Sequence, residues 1–487
     1  MSLGSALQIA QNSLLNVSRQ TNVVSRNVTN AGNEGYTRRA GVVDSNALGS
    51  RVVVMRESGE TQLVHAQLKA LSQTQGQTIV SQQLEQLNLT LNGIDGSRSP
   101  SALLSQLHGS LQSFAANPSN SALADNAIDE ARQLVQSLNA SASSIMTFRG
   151  AMDSQLAQET DRLNGLLDRF HEQNSAIVNG TRGGRDINDA LDQRDALLKD
   201  ISAIIPVNVI TRGEGDVVLV TTGGATLFES IPREVTFDAI STYGPGSIGN
   251  AVRIDGVPIA AGQGGATTSN GTIAALTQLR DDTSATLETQ LDETARSLIS
   301  AFAETDATGS GQPQLAGLFT WSGGPAVPPD GVHVDGMAYD IRLNAQYDGG
   351  QGGSALTLRD GGANGAAYLH NTSGAASFSD HVIRLVQSLD QPTTFDSATK
   401  VETNNSILGF ATQTIGWLDG ARSDAISALE SKQALSARLD EKLSNQTGVN
   451  IDEEMALLLQ LERSYEASAR LIGAVDEMFN TLFSAVR

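Results

Sequence analysis

The sequence contains no cysteine, and aromatic residues make up only 4% of it. The lack of cysteine excludes disulfides, thiol nucleophiles and cysteine-ligated metals, but it is compatible with either side of a membrane. No apolar run reaches the length of about 18 residues that a membrane-spanning helix needs. The first residues, Met1–Ala6, carry neither basic charge nor a continuous apolar stretch, so no secretory signal peptide is expected there.

Basic charge is also scarce. The chain has 53 acidic against 32 basic residues, which gives a formal net charge of −21. Such a surface repels phosphate backbones and anionic lipids, so binding to nucleic acid or to a membrane surface is disfavoured. The length of 487 residues is enough for roughly two to four domains.

Both ends of the chain carry apolar residues spaced alternately four and three positions apart. This spacing averages about 3.5 residues and is typical of a coiled coil. It predicts that the two ends pair with each other and with neighbouring subunits, which indicates an assembly protein. The alternative is an ordinary amphipathic helix packed within one domain. The candidate interface residues are Leu3, Leu7, Leu14, Val17, Val24, Val28, Leu458, Leu461, Tyr465, Ile472, Val475, Phe479, Leu482 and Val486.

Between Gly59 and Pro206 the pattern predicts mostly helix. No proline occurs from Asp125 to Val178, and apolar residues recur there every three or four positions, which predicts one helix about 80 Å long. Further helices are predicted from Ile273 to Glu304 and from Asn404 to Ser444. The fold class is therefore mainly α, elongated and multi-domain, with a stalk of long helices.

Short β-rich runs interrupt this helical sequence. Val207–Ile210 and Val217–Val220 are predicted strands, and Asp255-Gly256 is a predicted hairpin turn. A loop is expected over Gly262–Gly271, and short strands are expected near Val332–Val334, Tyr339–Leu343 and Ala355–Leu358. These β-rich parts are predicted to be insertions that protrude from the stalk.

A four-part organisation follows from these patterns. The predicted parts are a terminal coiled-coil domain of residues 1–36 with 449–487, a helical stalk of 37–206 with 272–305 and 400–448, a β-rich insertion of 207–271, and a glycine-rich mixed insertion of 306–399.

Three segments resemble one known family. Asn27–Arg38, with Asn27, Asn30, Gly35 and Tyr36 in the pattern, resembles the N-terminal signature of bacterial flagellar rod, hook and hook-associated proteins, with Thr29 and Asn33 as mild departures. Gly448–Glu454, with Asn450, Asp452, Glu453 and Glu454, resembles the C-terminal segment of the same family. Leu191–Leu198, with Asp192, Gln193, Arg194 and Asp195, resembles the hook-associated members and disfavours a hook or rod subunit.

The resemblance implies a structural subunit of the junction ring between hook and filament, which acts as a mechanical adaptor. It implies self-assembly, contact with the hook protein and with a second junction protein, and export through the flagellar type III channel to the extracellular flagellum. It also implies an export chaperone that holds the C-terminal helix. Neither cofactor nor enzymatic activity is implied.

The C-terminal helix also has a thermodynamic problem when it is alone. Asn450 is placed to cap it, and Asp452–Glu454 complement the helix dipole. Each large apolar side chain removed from water contributes roughly 1.5–3 kcal/mol, which an isolated helix does not gain. We therefore hypothesise that the termini order fully only upon assembly.

A secreted enzyme with its active site in a β insertion is the alternative of another class. Its candidate motifs are weak. His171 lacks the second histidine of a zincin helix and is interpreted as solvated surface, while Gly244–Gly249 matches a dinucleotide fingerprint but precedes a β-like run. Gly349–Leu356 has serine where a calcium-binding repeat needs aspartate, and Asp281-Asp282 is interpreted as a solvated acidic face.

Overall fold

A computed structural model describes residues 3–46, 49–93, 96–259 and 270–485, and helices dominate it. The α-helices are α1 (Leu3–Thr29), α2 (Thr61–Asn92), α3 (Pro100–Ala116), α4 (Ser121–Arg182), α5 (Asn188–Ile204), α6 (Thr272–Gln278), α7 (Ser284–Ala301), α8 (Met337–Asp340), α9 (Thr357–Asp360), α10 (Asp380–Asp390), α11 (Ile407–Thr447) and α12 (Ile451–Ala485). The predicted mainly α class is confirmed. In the described part of the chain, no helix is both long and apolar enough to cross a bilayer.

The uninterrupted helix expected over Asp125–Val178 is confirmed and is longer than expected. α4 has 62 residues, which corresponds to about 93 Å. Its start is capped by the Asn120 side chain, which accepts the backbone N–H of Ala122 at 3.1 Å. Its end is set by Gly184, whose φ of +62° reverses the chain so that the Arg185 N–H donates to the Gly180 carbonyl at 2.9 Å.

The strands are short and pair only in antiparallel fashion. They are β1 (Arg39–Asn46), β2 (Gly49–Arg56), β3 (Val207–Thr211), β4 (Val217–Thr221), β5 (Thr226–Phe228), β6 (Val235–Thr236), β7 (Arg253–Ile254), β8 (Val257–Pro258), β9 (Phe319–Thr320), β10 (Arg342–Leu343), β11 (Thr393–Thr394) and β12 (Asn404–Asn405). The described sheets are β1-β2, β3-β4-β5, β6-β7-β8, β10-β9 and β11-β12.

The predicted Asp-Gly hairpin is confirmed. Ile254 pairs directly with Val257, and the two intervening residues, Asp255 and Gly256, have φ of 49° and 78°. Two successive positive φ values are the requirement of the two-residue turn that matches the twist of a hairpin. Most of the predicted Gly262–Gly271 loop lies outside the described residues.

Three predicted strands are largely wrong. Residues 332–334 are irregular, only Arg342–Leu343 is extended in the second run, and the third run leads into α9. The Asp292 carboxylate fixes the backbone conformation near residue 337. It accepts the N–H groups of Gly336 and Ala338 at 2.8 and 2.7 Å, and these hydrogen bonds favour the turn of α8 over a strand. Short apolar runs alone do not distinguish such turns from strands.

The chain divides into two compact units. The first unit comprises residues 1–74, 162–234 and 431–487, and the second comprises residues 75–161 and 235–430. The predicted four-part division is finer than this and stays a prediction.

The second unit has a large aliphatic core, and helix α7, which buries charged residues, lies within it. Leu104, Leu138 and Phe410 are fully buried members of this core. α7 crosses it and buries charge as well as apolar surface, since Asp292, Glu293 and Arg296 are each at most 1% exposed. The charges are satisfied within the unit, because the Glu293 carboxylate accepts from Arg296 Nε at 2.8 Å and from the Asp396 N–H at 3.0 Å. α7 thereby holds the irregular glycine-rich segment that surrounds it.

Candidate functional site

In the first unit, α1 and α12 lie against each other and run antiparallel. Ser13 Oγ is 2.9 Å from Ser468 Oγ, while Val24, further along α1, packs against Leu461, which is earlier in α12. Residues further along α1 therefore contact residues earlier in α12, which makes the pair antiparallel. The serine pair spans the two helices at a position where Ser468 interrupts the apolar pattern, and its hydrogen bond defines the register of the pair.

The candidate interface residues differ in how completely the helix pair covers them. Val17, Val24, Leu461 and Val475 are buried, with exposures of 6%, 2%, 6% and 3%. Tyr465 and Leu482 are exposed by 47% and 52%. The half-buried members are Leu7, Leu14, Val28, Leu458, Ile472 and Phe479. The Leu3 side chain and Val486 lie outside the described residues.

A band of apolar side chains on α12 remains uncovered beside this contact. Leu471, Met478 and Leu482 are 48%, 51% and 52% exposed, and their spacing of seven and four residues places them along one side of the helix. Phe483 is 67% exposed next to them. Contiguous exposed apolar surface of this kind typically marks an interaction site.

The N-terminal motif is organised around Asn27. This residue is fully buried, and its side chain is hydrogen-bonded to both polar groups of the Arg39 backbone. Asn27 Nδ2 donates to the Arg39 carbonyl at 2.8 Å, and Oδ1 accepts the Arg39 N–H at 3.1 Å. The Tyr36 hydroxyl donates to the same Oδ1 at 2.8 Å. A side chain with both a donor and an acceptor is required here, which explains asparagine at this position.

Two arginines connect the β1-β2 hairpin to α5. The Arg39 side chain is 2% exposed and pairs with Asp189 and Asp192, and its guanidinium lies 4.8 Å from the centre of the Tyr36 ring. Arg56 binds the same Asp192 from the other strand, with 3.0 Å between Nε and Oδ1, and also pairs with Asp195. We call these residues (Arg39, Arg56, Asp189, Asp192 and Asp195) the arginine cluster.

Within the arginine cluster, electrostatics keep Arg39 and Asp189 ionised. Burial acts to lower the pKa of Arg39, but its hydrogen bonds to Asp189 and Asp192 outweigh that effect and raise the pKa. The hydrogen bond from Arg39 lowers the pKa of Asp189. Arg39 and Asp189 therefore both carry charge at neutral pH, and the hydrogen bond between them is charge-assisted.

Arg38 connects the N-terminal motif to the start of α12. Its Nε donates to Glu454 Oε1 at 2.8 Å, and Glu454 is fully buried. Its backbone N–H donates to the carbonyl of Thr447, the last residue of α11, at 2.8 Å. One residue thus contacts the end of α11 and the first turn of α12, so it sets how the C-terminal helix leaves the body of the first unit.

The cap of α12 comes from Asn450. Its Oδ1 accepts the N–H groups of Asp452 and Glu453 at 3.0 and 3.4 Å. The side chains of Asp452 and Glu453 are exposed in the first turn, where negative charge complements the helix dipole.

The remaining motif residues have local roles. Asn30 donates to the Arg26 carbonyl at 2.8 Å, and the Gly35 N–H donates to Asn33 at 3.1 Å. Gln193 is exposed. Arg194 is buried on another side of α5, donates to Asn174 at 3.0 Å, and has a pKa lowered by its burial.

The structure brings the three motif segments together, and sequence reasoning missed the arginines that join them. Arg38, Arg39 and Arg56 were not among the candidate site residues. The sequence does contain a signal for these arginines, since basic residues flank both ends of the valine-rich hairpin in an otherwise acidic chain. Their partners, Asp192 and Glu454, were predicted only as members of family motifs.

Two interpretations of possible catalytic groups need correction or refinement. His171 is not a solvated surface residue, because its ring packs on Phe228 with 5.8 Å between ring centres. Asp281 and Asp282 are exposed as expected, but they pair with Arg280 and Lys400 respectively. Among the described residues, no group of three or more histidine or carboxylate side chains is arranged to hold a metal ion.

Comparison with known families gives two matches. Residues 84–318 match the flagellar hook-associated protein FlgK helical domain. Residues 443–485 match the C-terminal region of the flagellar basal body rod FlgEFG proteins. The second match covers all of α12.

Curated relatives and a solved structure agree with these matches. The flagellar hook-associated protein 1 of Salmonella typhimurium and that of Salmonella typhi are each 26% identical over 220 residues, which is 43% of this chain. The chain spans only 39% of the length of these relatives. The structure of the flagellar hook junction protein FlgK from Burkholderia pseudomallei superposes with a TM-score of 0.54 at 13% identity, over 79% of this chain and 99% of that one. This superposition supports the fold.

Proposed function

We propose that the chain, whose residues 84–318 match the flagellar hook-associated protein FlgK helical domain, is a member of the flagellar hook-associated family and a structural subunit of the ring that joins hook to filament. The observation that carries this proposal is the apolar band on α12, Leu471, Met478, Leu482 and Phe483, which α1 does not cover. A subunit that functions alone gains nothing from such a surface, whereas a ring of subunits removes it from water.

The terminal helix pair acts as the assembly element in this proposal. The antiparallel contact of α1 with α12 supplies a preformed two-helix face, and the arginine cluster with the Arg38–Glu454 pair fixes that face on the first unit. Neighbouring copies then pack their exposed apolar bands together. We assign the predicted terminal domain of residues 1–36 and 449–487 to the inner layer of the assembly.

The partners follow from the same premise. The subunit binds the hook protein on one side and a second junction protein on the other, and acts mechanically without catalysis. It reaches the outside of the cell through the flagellar type III channel, with an export chaperone on the C-terminal helix beforehand. The exposed apolar side chains of α12 explain why such a chaperone is useful, since they would otherwise promote aggregation.

Addition to purified hook ends tests the proposal. We expect the full chain to bind hook ends and to permit filament growth there. The double substitution Leu471→Ser with Met478→Ser should reduce binding by at least about tenfold, since two exposed apolar anchors are lost. Ile231→Ser is the matched control, because Ile231 is 62% exposed in the first unit but lies outside α1 and α12. Failure of the unmodified chain to bind hook ends would contradict the proposal.

A further inference from the structure

The two helices of the terminal pair carry opposite charge. α1 contains Arg19 and Arg26 and no acidic residue. The acidic residues of α12 are Asp452, Glu453, Glu454, Glu462, Glu466, Asp476 and Glu477, against Arg463 and Arg470. Opposite charges on adjacent helices attract each other, but no ion pair joins α1 to α12 within the described part of the chain. The complementary charges are therefore not used inside the helix pair.

Arg19 and Arg26 lie on the side of α1 that faces away from α12. Each arginine follows by two positions a valine that packs on α12, Val17 or Val24. Two residues correspond to about 200° around a helix, so the arginine side chains point away from that contact. Both arginines are exposed, and Arg19 has no ion-pair partner among the described residues. The charge of Arg19 is therefore available to another chain.

A stripe of apolar and acidic side chains lies on the outer side of α12. Its members are spaced four, three and four positions apart and so share one side of the helix. We call these residues (Met455, Leu459, Glu462 and Glu466) the Met455 stripe. Met455 and Leu459 are 44% and 53% exposed, and the two glutamates are exposed as well. Leu461, which packs on α1, follows Leu459 by two positions, so the stripe also faces away from α1.

Glu462 is the unpaired acid of this stripe. Glu466 lies 3.6 Å from Arg470 on the same helix, whereas Glu462 has no ion pair in the part of the chain that the structure describes. Leu459 lies three positions before Glu462, within one helical turn of it. An arginine that pairs with this carboxylate lays its aliphatic stem along the neighbouring apolar surface. The Met455 stripe therefore suits an arginine-bearing helix better than a purely apolar one.

The register of the helix pair places Arg19 and Glu462 at the same height along the helix axes. Ser13 of α1 contacts Ser468 of α12, and each residue adds about 1.5 Å along either helix. Arg19 follows Ser13 by six residues. Glu462 precedes Ser468 by six residues on the antiparallel helix. A second copy that is rotated about an axis parallel to the helices keeps this height, so its Arg19 meets Glu462 without an axial shift.

We propose that α1 of a second copy of this chain lies on the Met455 stripe, with Arg19 paired to Glu462 and the stem of Arg26 on Met455. A second copy is favoured over an unrelated basic partner, because this chain itself carries the complementary charge at the matching height. A ring needs two different faces on each subunit, one of which binds the other. The inference rests on the proposed function, since it names the partner surface within the ring, and it uses no residue of the apolar band on α12.

Charge reversal in the full chain tests the contact, with co-sedimentation of the chain with purified hooks as the readout. Arg19→Glu and Glu462→Arg should each reduce binding at least about fivefold, because each places like charges together across the contact. The double variant should recover binding. An equimolar mixture of the two single variants should also recover it, because the altered α1 of one chain then meets the altered α12 of the other. Recovery in the mixture identifies a contact between chains.

Arg185→Glu and Glu172→Arg are the matched controls. Both residues are exposed in the first unit but lie outside α1 and α12, so neither change should alter binding. Normal binding by both single variants of the proposed pair would overturn this contact and leave the proposed function standing. Recovery in the double variant but not in the mixture would assign the pair to one chain and overturn the proposal. Failure of the unmodified chain to bind hooks would overturn both the contact and the proposed function.

Discussion

Two regions of the molecule depart from the usual placement of side chains, in which apolar groups are buried and charged groups are exposed. They are helix α7 in the second unit and the helix pair α1 and α12 in the first unit. α7 buries Asp292, Glu293 and Arg296 almost completely, although charged side chains are rarely buried without partners. α12 leaves Leu471 and Met478 about half exposed. One helix places charge inside, and the other places apolar surface outside.

The difference shows where the side chains of each region find the groups that they interact with. Every buried charge of α7 named above is paired within the chain, for example Asp292 with two backbone N–H groups and His333. The apolar band of α12 has no such cover within the described chain. α7 therefore completes its interactions on folding, whereas the terminal helix pair leaves apolar surface exposed that the proposed assembly would cover.

The largest expected effect comes from breaking the α7 ion pair. Arg296→Met leaves the fully buried Glu293 carboxylate without its charged partner, so we expect the free energy of unfolding of the second unit to fall by about 3–5 kcal/mol. Hydrogen exchange at the amides of α7 measures this quantity. Arg342→Met is the control, because that arginine is 67% exposed beside Asp340 and its removal should cost less than about 1 kcal/mol. Equal effects of the two substitutions would show that burial of the α7 charges is unimportant.

The next effect separates the two asparagines of the N-terminal motif. Asn27→Ala removes three hydrogen bonds at a fully buried position, so the first unit should lose about 2–3 kcal/mol. Asn30→Ala removes one bond to the Arg26 carbonyl and should cost about 0.5 kcal/mol. Chemical denaturation monitored in the first unit compares the two. A larger loss for Asn30→Ala would refute the assignment of Asn27 as the centre of the motif.

Acid should weaken the second unit through His381. Burial lowers the pKa of this histidine to about 3, with smaller contributions from His370 and Arg384. The unfolded chain therefore binds the proton first, and stability is lost as the pH falls below about 6.5 towards 3, by at most about 1.4 kcal/mol per pH unit. His333 acts in the opposite sense, since its hydrogen bond to Asp292 raises its pKa and its contribution is lost as the pH rises through that value.

The variant His381→Phe isolates this contribution. It keeps a ring against His370, with 4.5 Å between ring centres in the unmodified chain, but it does not titrate. Thermal unfolding at pH 6 and at pH 4.5 should show a smaller loss of stability for the variant than for the unmodified chain. An identical loss of stability in the variant and in the unmodified chain would contradict the assigned contribution of His381 to destabilisation by acid.

The smallest effect on stability is expected on the apolar band. Leu482→Ser, at a 52% exposed position, should change the free energy of unfolding of the isolated chain by less than about 0.5 kcal/mol. Val475→Ser, at a 3% exposed position on the same helix, should destabilise the helix pair clearly, by about 1–3 kcal/mol. Both should impair addition to hook ends. A strong destabilisation by Leu482→Ser alone would indicate that α12 is fully covered within one chain.

Periodicity predicted the long helices of this fold because long apolar patterns leave few alternatives. The proline-free stretch that became α4 and the Asp-Gly turn between β7 and β8 are examples. The glycine-rich segment after α7 was not predictable in this way. Its conformation depends on carboxylates of α7, such as Asp292 holding Gly336 and Ala338, and those contacts are distant in sequence.

The candidate site was predictable only as separate segments. Family resemblance identified Asn27, Asp192 and Glu454 but gave no indication that arginines join them. Arg56 lies far from every motif in the sequence and still binds Asp192 and Asp195. An ion pair between remote residues leaves no periodic signal, so only the folded chain shows it.

Hydrogen exchange on the isolated chain and on the chain bound to hook ends tests the central claim most directly. We predict weaker protection of α1 and α12 than of α7 in the isolated chain, a rise in the protection of both terminal helices in the complex, and strong protection of α7 in each state. Strong protection of α1 and α12 in the isolated chain, unchanged on binding, would contradict the account.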